Sequence, residues 1–167
     1  TTLFRSVENV MSAAWVGLAG ERKVVAYIGT QAFTRQLVEK SGYFVVQIPV
    51  VSQMATVLYA GGRSYADAPD KNDTIPFFYQ PEFDLPLVAG CAGWLVCKVM
   101  PYPDIQQQHN LFMGDIVAAW SDDRVFRNGH WIFDDAPDEL RTVHYVAGGQ
   151  FYAIGKGSKF DHGPGQD

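Results

Sequence analysis

Strand-like apolar runs dominate the chain, and the apolar spacing shifts towards four in two places only. VMSAAWVGL (residues 10–18), VVAYI (24–28) and FVVQI (44–48) are rich in β-branched and aromatic residues and read as strands. Residues 87–100, GDIVAAW at 114–120 and residues 143–154 extend the series. At 125–133, VFRNGHWIF sets an Asn-Gly pair between alternating apolar positions, the strongest short signal for a hairpin. Helical spacing predicts helices over 31–40 and 52–59. In the first, Phe33, Leu37 and Ser41 fall four apart, and Gly42 stands where a helix stops; the second runs into Gly61-Gly62. Residues 63–86 are rich in Pro, Asp and Asn and keep no period, which predicts mostly loop. Many strands, few helices and no repeated strand–helix alternation predict a mainly β fold, an antiparallel barrel with short outer helices.

The length of 167 residues suits one domain, taken as 1–160, with the Gly-rich residues 161–167 as a flexible tail. The chain opens TTLFRSVENV, strand-like almost at once, as if the beginning of a first strand lay outside it. Hydrophobic residues make up 47% and aromatics 14%, an excess that suits flat ligands and interfaces as well as a core. A net charge of −5 argues against nucleic acid as a partner but leaves room for a small phosphorylated ligand in a local basic pocket. No membrane-length apolar run or secretory signal is visible, so a cytoplasmic location is the default. Cys91 and Cys97, six apart in one apolar run, would share a face of one strand, too far apart to bridge. They read as small buried residues. The acidic runs at 67–73 and 134–139 lack the glycine and closing glutamate of a calcium loop, and no metal site is expected.

Candidate chemistry lies in GTQAFTRQLVEKSGYF (residues 29–44), where a helix starts at the end of a buried strand. A helix start leaves its first N–H groups unpaired and carries partial positive charge. With the Thr30 and Thr34 hydroxyls and the Arg35 cation, it forms a plausible phosphate seat. The same residues fit plain capping by Thr30 with Arg35 solvated, and the stretch alone leaves both readings open. In NVMSAAWV (residues 9–16), Ser12, Ala13 and Ala14 are small enough to let backbone approach a flat ligand that Trp15 would wall; they also fit a tight barrel corner.

NVMSAAWV, a hydrophobic strand and then IGTQAFTRQLVEKSGYFVVQIP together resemble the flavin reductase-like FMN-binding family, which includes the flavoredoxins. GGRSYADAPDK, PLVAGCAGWLVCKV, HNLFMGDIVAA and HYVAGGQFYAIGK are similar, in order, to later segments of that family. The resemblance implies a split β-barrel, usually a homodimer, with FMN held noncovalently near the subunit interface. By position, Asn9, Val10, Met11, Ser12, Ala13, Ala14 and Trp15 would line the isoalloxazine. Thr30, Gln31, Phe33, Thr34 and Arg35 would receive the phosphate, and Gln47 would keep a polar contact to the ring. The implied chemistry is hydride from NADH or NADPH to the flavin, then electrons onward to a small acceptor or a redox partner protein. The rival readings are a non-catalytic flavin- or haem-binding split barrel and an electron carrier reduced by a protein partner. His144, before the Gly148-Gly149 turn, would be the catalytic candidate in a dimer, while His109 and His130 read as ordinary polar positions. Two departures stand out: GLAGERK (residues 17–23) lacks the family's frequent Pro-Pro pair, and WLVC (94–97) lacks its Glu before Cys.

Overall fold

The structure is a computed structural model describing residues 7–159, and its strands form one five-stranded antiparallel sheet and three two-stranded hairpins. In chain order, β1 (Val16–Leu18) pairs with β2 (Lys23–Tyr27), α1 (Phe33–Ser41) comes after it, and β3 (Tyr43–Ile48) returns to the sheet. Next come α2 (Met54–Gly62), β4 (Phe77–Gln80), β5 (Phe83–Val88), β6 (Gly93–Val99) and α3 (Pro103–His109). The chain then forms β7 (Leu111–Ser121), the short hairpin β8 (Phe126–Arg127) and β9 (His130–Trp131), and the hairpin β10 (Val143–Ala147) and β11 (Gln150–Ala153). The large sheet has the order β1-β2-β7-β6-β3 and curls into a half-barrel, as the mainly β reading expects.

Alternation places the core. Val24, Ala26 and Ile28 point inward from the second strand and its end to meet Val38 of α1, Phe44 of β3, Cys97 of β6 and Phe112 of β7. Each fully buried aliphatic or aromatic side chain stabilises the fold by roughly 1.5–3 kcal/mol. Packing is tight where the sheet bends: a Cβ on Gly114 of β7 would lie 2.8 Å from Cys97 Cβ and 2.8 Å from Phe44 Cε1. A second cluster, Ala60, Ile75, Leu87, Val88, Cys91 and Trp94, lies under α2 and the β4–β5 hairpin.

Several sequence expectations hold in detail. Gly42 takes a left-handed conformation (φ 72°) and closes α1 by donating its N–H to the Val38 carbonyl. Asn128 (φ 51°) and Gly129 (φ 78°) make the expected hairpin turn between β8 and β9. Others are corrected. Residues 87–100 are two strands and not one, because the chain reverses at Gly90 (φ 87°). Cys91 therefore sits in the turn and Cys97 in β6, in separate core clusters, both free and buried. The excursion at 63–86 contains a 3-10 turn at Pro69–Asn72 and most of the β4–β5 hairpin. The sequence pattern gives no sign of α3: its polar Gln-rich face shows no apolar period, although Pro103 opens it and Asn110 (φ 58°) closes it. Only 16–18 of the run at 10–18 is a strand. The expectation of a first strand at the start of the chain and that of a flexible tail at 161–167 fall outside the described residues.

Candidate functional site

Ahead of β1, residues 7–15 run as an irregular segment held by side chains. Asn72 Nδ2 donates to the Glu8 carbonyl at 2.6 Å, and the Tyr79 hydroxyl donates to Glu8 Oε2 at 2.6 Å. Asn9 Nδ2 donates to Thr34 Oγ1 at 2.7 Å, and Ser12 Oγ donates to the Val57 carbonyl of α2. The segment rejoins the ladder only where Tyr27 N donates to the Trp15 carbonyl at 3.0 Å. The backbone N–H groups of residues 10–14 have no hydrogen-bond partner among the described residues. Backbone polar groups are strong donors and acceptors, so these amides are free to donate to solvent or to a ligand.

The start of α1 faces the same place. Its N-cap is Ala32, in extended conformation, and no side chain caps the helix. Thr30 is exposed and is not the cap, so the capping reading does not describe this helix. The first amides of α1 keep their donor capacity and the positive end of the dipole. Thr34 Oγ1 already accepts from Asn9, which leaves its own proton available for a further acceptor.

Between these two elements lies a cleft of about 200 Å³, lined on this side by Asn9, Met11, Ser12, Gln31, Phe33 and Thr34. Its far wall is built from the carboxyl end of α2 and the chain just beyond it: Ala60, Gly61, Gly62, Arg63, Ser64, Tyr65 and, from the 3-10 turn, Lys71. Phe33 and Tyr65 stack across it with ring centroids 4.8 Å apart. The Arg63 guanidinium lies over the Tyr59 ring at 4.7 Å. Lys71 is 1% exposed, and its Nζ donates to the Ala60 carbonyl at 3.0 Å and the Arg63 carbonyl at 2.8 Å. Those bonds complete the end of α2 and use two of the three ammonium protons. No carboxylate pairs with Lys71 or Arg63 among the described residues. Desolvation lowers the Lys71 pKa from its ordinary 10.5. Lys71 is thus a buried cation without a carboxylate partner among the described residues, on the same cleft as the uncapped start of α1.

The structure separates the sequence candidates. Asn9, Met11, Ser12, Gln31, Phe33 and Thr34 meet at the cleft. Ala13, Ala14 and Trp15 are exposed beside it, with Trp15 71% exposed and edge-on to Tyr27 at 5.0 Å. Val10 turns into the cluster under α2. Arg35 does not line the cleft: it is 5% exposed on the inner side of α1. Its guanidinium donates to the Ile28 carbonyl at 3.3 Å, the Gln106 carbonyl at 3.0 Å, Asn110 Oδ1 and, at 2.8 Å, Glu39 Oε1. Gln47 is likewise occupied, its Oε1 accepting from Val88 N at 2.6 Å. His144 is exposed on the β10–β11 hairpin and is not among the residues that line the cleft. Arg63, Ser64, Tyr65 and Lys71 are the residues sequence reading does not single out. They sit in a stretch without period, and the only signal there is GGRSYADAPDK as a segment of the resemblance.

Comparison with known proteins agrees with that resemblance. The sequence profile of the flavin reductase like domain matches residues 5–144. The Escherichia coli K12 protein YddH is 35% identical over 153 residues, spanning 89% of this chain and 79% of that one. An FMN-binding domain of a flavin reductases-like enzyme from Shewanella baltica OS155 superposes with a TM-score of 0.90 at 42% identity, covering 93% of this chain and 83% of that one. The flavoredoxin of Desulfovibrio vulgaris (Miyazaki F) shares the fold at a TM-score of 0.75 and 22% identity, covering 95% and 85%. The split-barrel architecture expected from the sequence is the architecture of these neighbours.

Proposed function

Because the chain belongs to the flavin reductase-like domain family, we propose that it is an FMN-binding oxidoreductase that passes electrons from NADH or NADPH to a small acceptor. The observation that carries the proposal is the Lys71 ammonium, buried at the cleft without a carboxylate partner among the described residues. FMN fits the residues present. Its phosphate suits Lys71, the first amides of α1 and the Thr34 hydroxyl, with Arg63 at the rim. Asn9 Oδ1, buried without a partner among the described residues, suits a hydroxyl donor of the ribityl chain. The unpaired backbone at 10–14 and the exposed Trp15 suit the ring.

When bound, FMN supplies the hydride- and electron-transfer chemistry. The chain's own part is to bind and orient: Lys71 and α1 fix the charged end, while residues 9–15 present donors and a shielding indole to the flat end. Arg35 acts from behind, holding α1 to the end of β2 and to α3.

The cleft, at about 200 Å³, falls short of the roughly 300–1,000 Å³ of a complete small-molecule pocket. Leu18 is 74% exposed at the end of β1, and the β10–β11 hairpin and the residue after it expose Tyr145, Val146, Tyr152 and Ile154. A two-stranded hairpin is marginal alone in water. A homodimer that covers these apolar side chains and walls the ring side of the cleft accounts for both features. A reducing compartment such as the cytoplasm suits the two free thiols, and no helix among the described residues is long and apolar enough to cross a membrane.

The test is the visible spectrum of protein mixed with FMN, then exposed anaerobically to NADH or NADPH. Binding with bleaching supports the reductase. Binding without bleaching by either nucleotide replaces it with a carrier reduced by another protein, and no binding overturns the flavin reading.

A further inference from the structure

The two walls of the cleft come into close contact at Gly61. A Cβ built on Gly61 would lie 2.8 Å from Ser12 Oγ and 2.9 Å from Ser12 Cβ, closer than real Cβ atoms come. Gly61 is in the last turn of α2 and its backbone has no positive φ, so the helix itself would accept alanine, the better helix former. Glycine there disagrees with local propensity and agrees only with the neighbour across the gap. That neighbour is fixed by its own hydrogen bond, Ser12 Oγ to the Val57 carbonyl, one turn earlier on the same helix. The other side of the same helix end is held by Lys71, through the Ala60 and Arg63 carbonyls. The last turn of α2 is thus a shared support, with the anion-side cation on one flank and the segment at 9–15 on the other.

We propose that Gly61 and Ser12 are positioning residues for the flavin ring: their contact sets how far the segment at 9–15 stands from the cleft. The proposal rests on the FMN reading of the cleft. A Cβ at position 61 has to displace Ser12, and with it the neighbouring backbone donors at 10–14, whereas Lys71 keeps its own two carbonyl bonds on the other flank. The contact therefore acts first on the ring.

The experiment titrates FMN and riboflavin into Gly61→Ala, Ser12→Gly and the double variant, tracking flavin fluorescence and the visible circular dichroism of saturated protein. Gly61→Ala should weaken both ligands by roughly tenfold and change the spectrum of the bound ring, with the FMN-to-riboflavin ratio preserved. In the Ser12→Gly background, where both clashing atoms are gone, Gly61→Ala should cost nothing further. A wild-type-like spectrum and affinity for Gly61→Ala, or the same loss in both backgrounds, overturns the positioning role while the flavin reading stands. If the unaltered protein binds neither ligand, both fall. Should Gly61→Ala fail to fold, Ser12→Gly decides the matter: it removes both the bond to Val57 and the Cβ that faces Gly61, and an unchanged ring spectrum overturns the proposal.

Discussion

Asn9 and Thr34, 25 residues apart, are joined side chain to side chain by a 2.7 Å hydrogen bond from Nδ2 to Oγ1. The bond ties the irregular segment before β1 to the first turn of α1, and it leaves the threonine hydroxyl as a donor towards the cleft. Thr34→Val, which keeps the shape and removes the hydroxyl, should weaken FMN by about 1.5–3 kcal/mol, the value of a hydrogen bond to a charged group. Riboflavin, without a phosphate, should lose much less, and Thr34→Ser should restore FMN. Equal losses for the two ligands in a fluorescence titration would contradict a phosphate contact.

Lys71→Met keeps much of the stem volume and removes the charge. FMN should lose most of its advantage over riboflavin, and thermal stability should fall as well, since the Ala60 and Arg63 carbonyls lose their donor. The pH dependence has a definite sign. The folded-state pKa is lowered below 10.5, so an anion that needs the charged form loses affinity as rising pH deprotonates Lys71. Riboflavin affinity should stay level over the same alkaline range, and a matching decline would remove Lys71 from the phosphate.

Arg35→Leu should behave in the opposite manner. It leaves the Ile28 and Gln106 carbonyls and Asn110 Oδ1 without their donor at a buried position, a loss of about 3 kcal/mol or more in urea unfolding. The FMN-to-riboflavin ratio of whatever protein remains folded should be unchanged. A selective loss of FMN affinity would return Arg35 to the phosphate.

A dimer held by the β10–β11 hairpin and the β1 edge should come apart when charge is placed on its apolar face. Val146→Glu and Tyr152→Glu, at positions 56% and 58% exposed, should leave the isolated chain folded. Sedimentation should then show monomers, with flavin binding weakened alongside. Unaltered protein that sediments as a monomer at every concentration rules this out.

Burial raises the Cys91 and Cys97 thiols from 9.0 to about 11. Between those values the unfolded chain ionises first, so the stability they contribute is complete below about pH 9 and is lost as pH climbs towards about 11. The urea midpoint should hold from about pH 7 to about pH 8.5 and then fall. Replacing both cysteines by alanine should flatten the part of that fall below about pH 10, while Tyr79, raised to about 12 by burial and its bond to Glu8, governs the more alkaline part. An identical alkaline fall in the cysteine-free protein would rule out the thiols as its cause.

How much of the molecule is legible in its sequence depends on whether the cause is local. Asn128-Gly129 and Gly42 carry their conformations in their own chemistry, and the structure has them as read. Phe33 and Thr34 reach the cleft because a helix start is set by the residues beside it. Arg35 cannot be placed that way. Its partners Gln106 and Asn110 lie 71 and 75 residues away, around a helix whose polar sequence gives no period. Lys71 sits in a stretch that reads as loop, and its importance comes from being buried against the end of a helix nine residues earlier in the chain. The segment at 10–14 looks like a strand because its side chains suit one, while its backbone stands apart from any ladder.

No side chain caps the first turn of α1. If the proposed FMN phosphate docks there, bonds from the ligand would finish the helix, and amide exchange at Phe33 and Thr34 should slow when FMN is added to the protein.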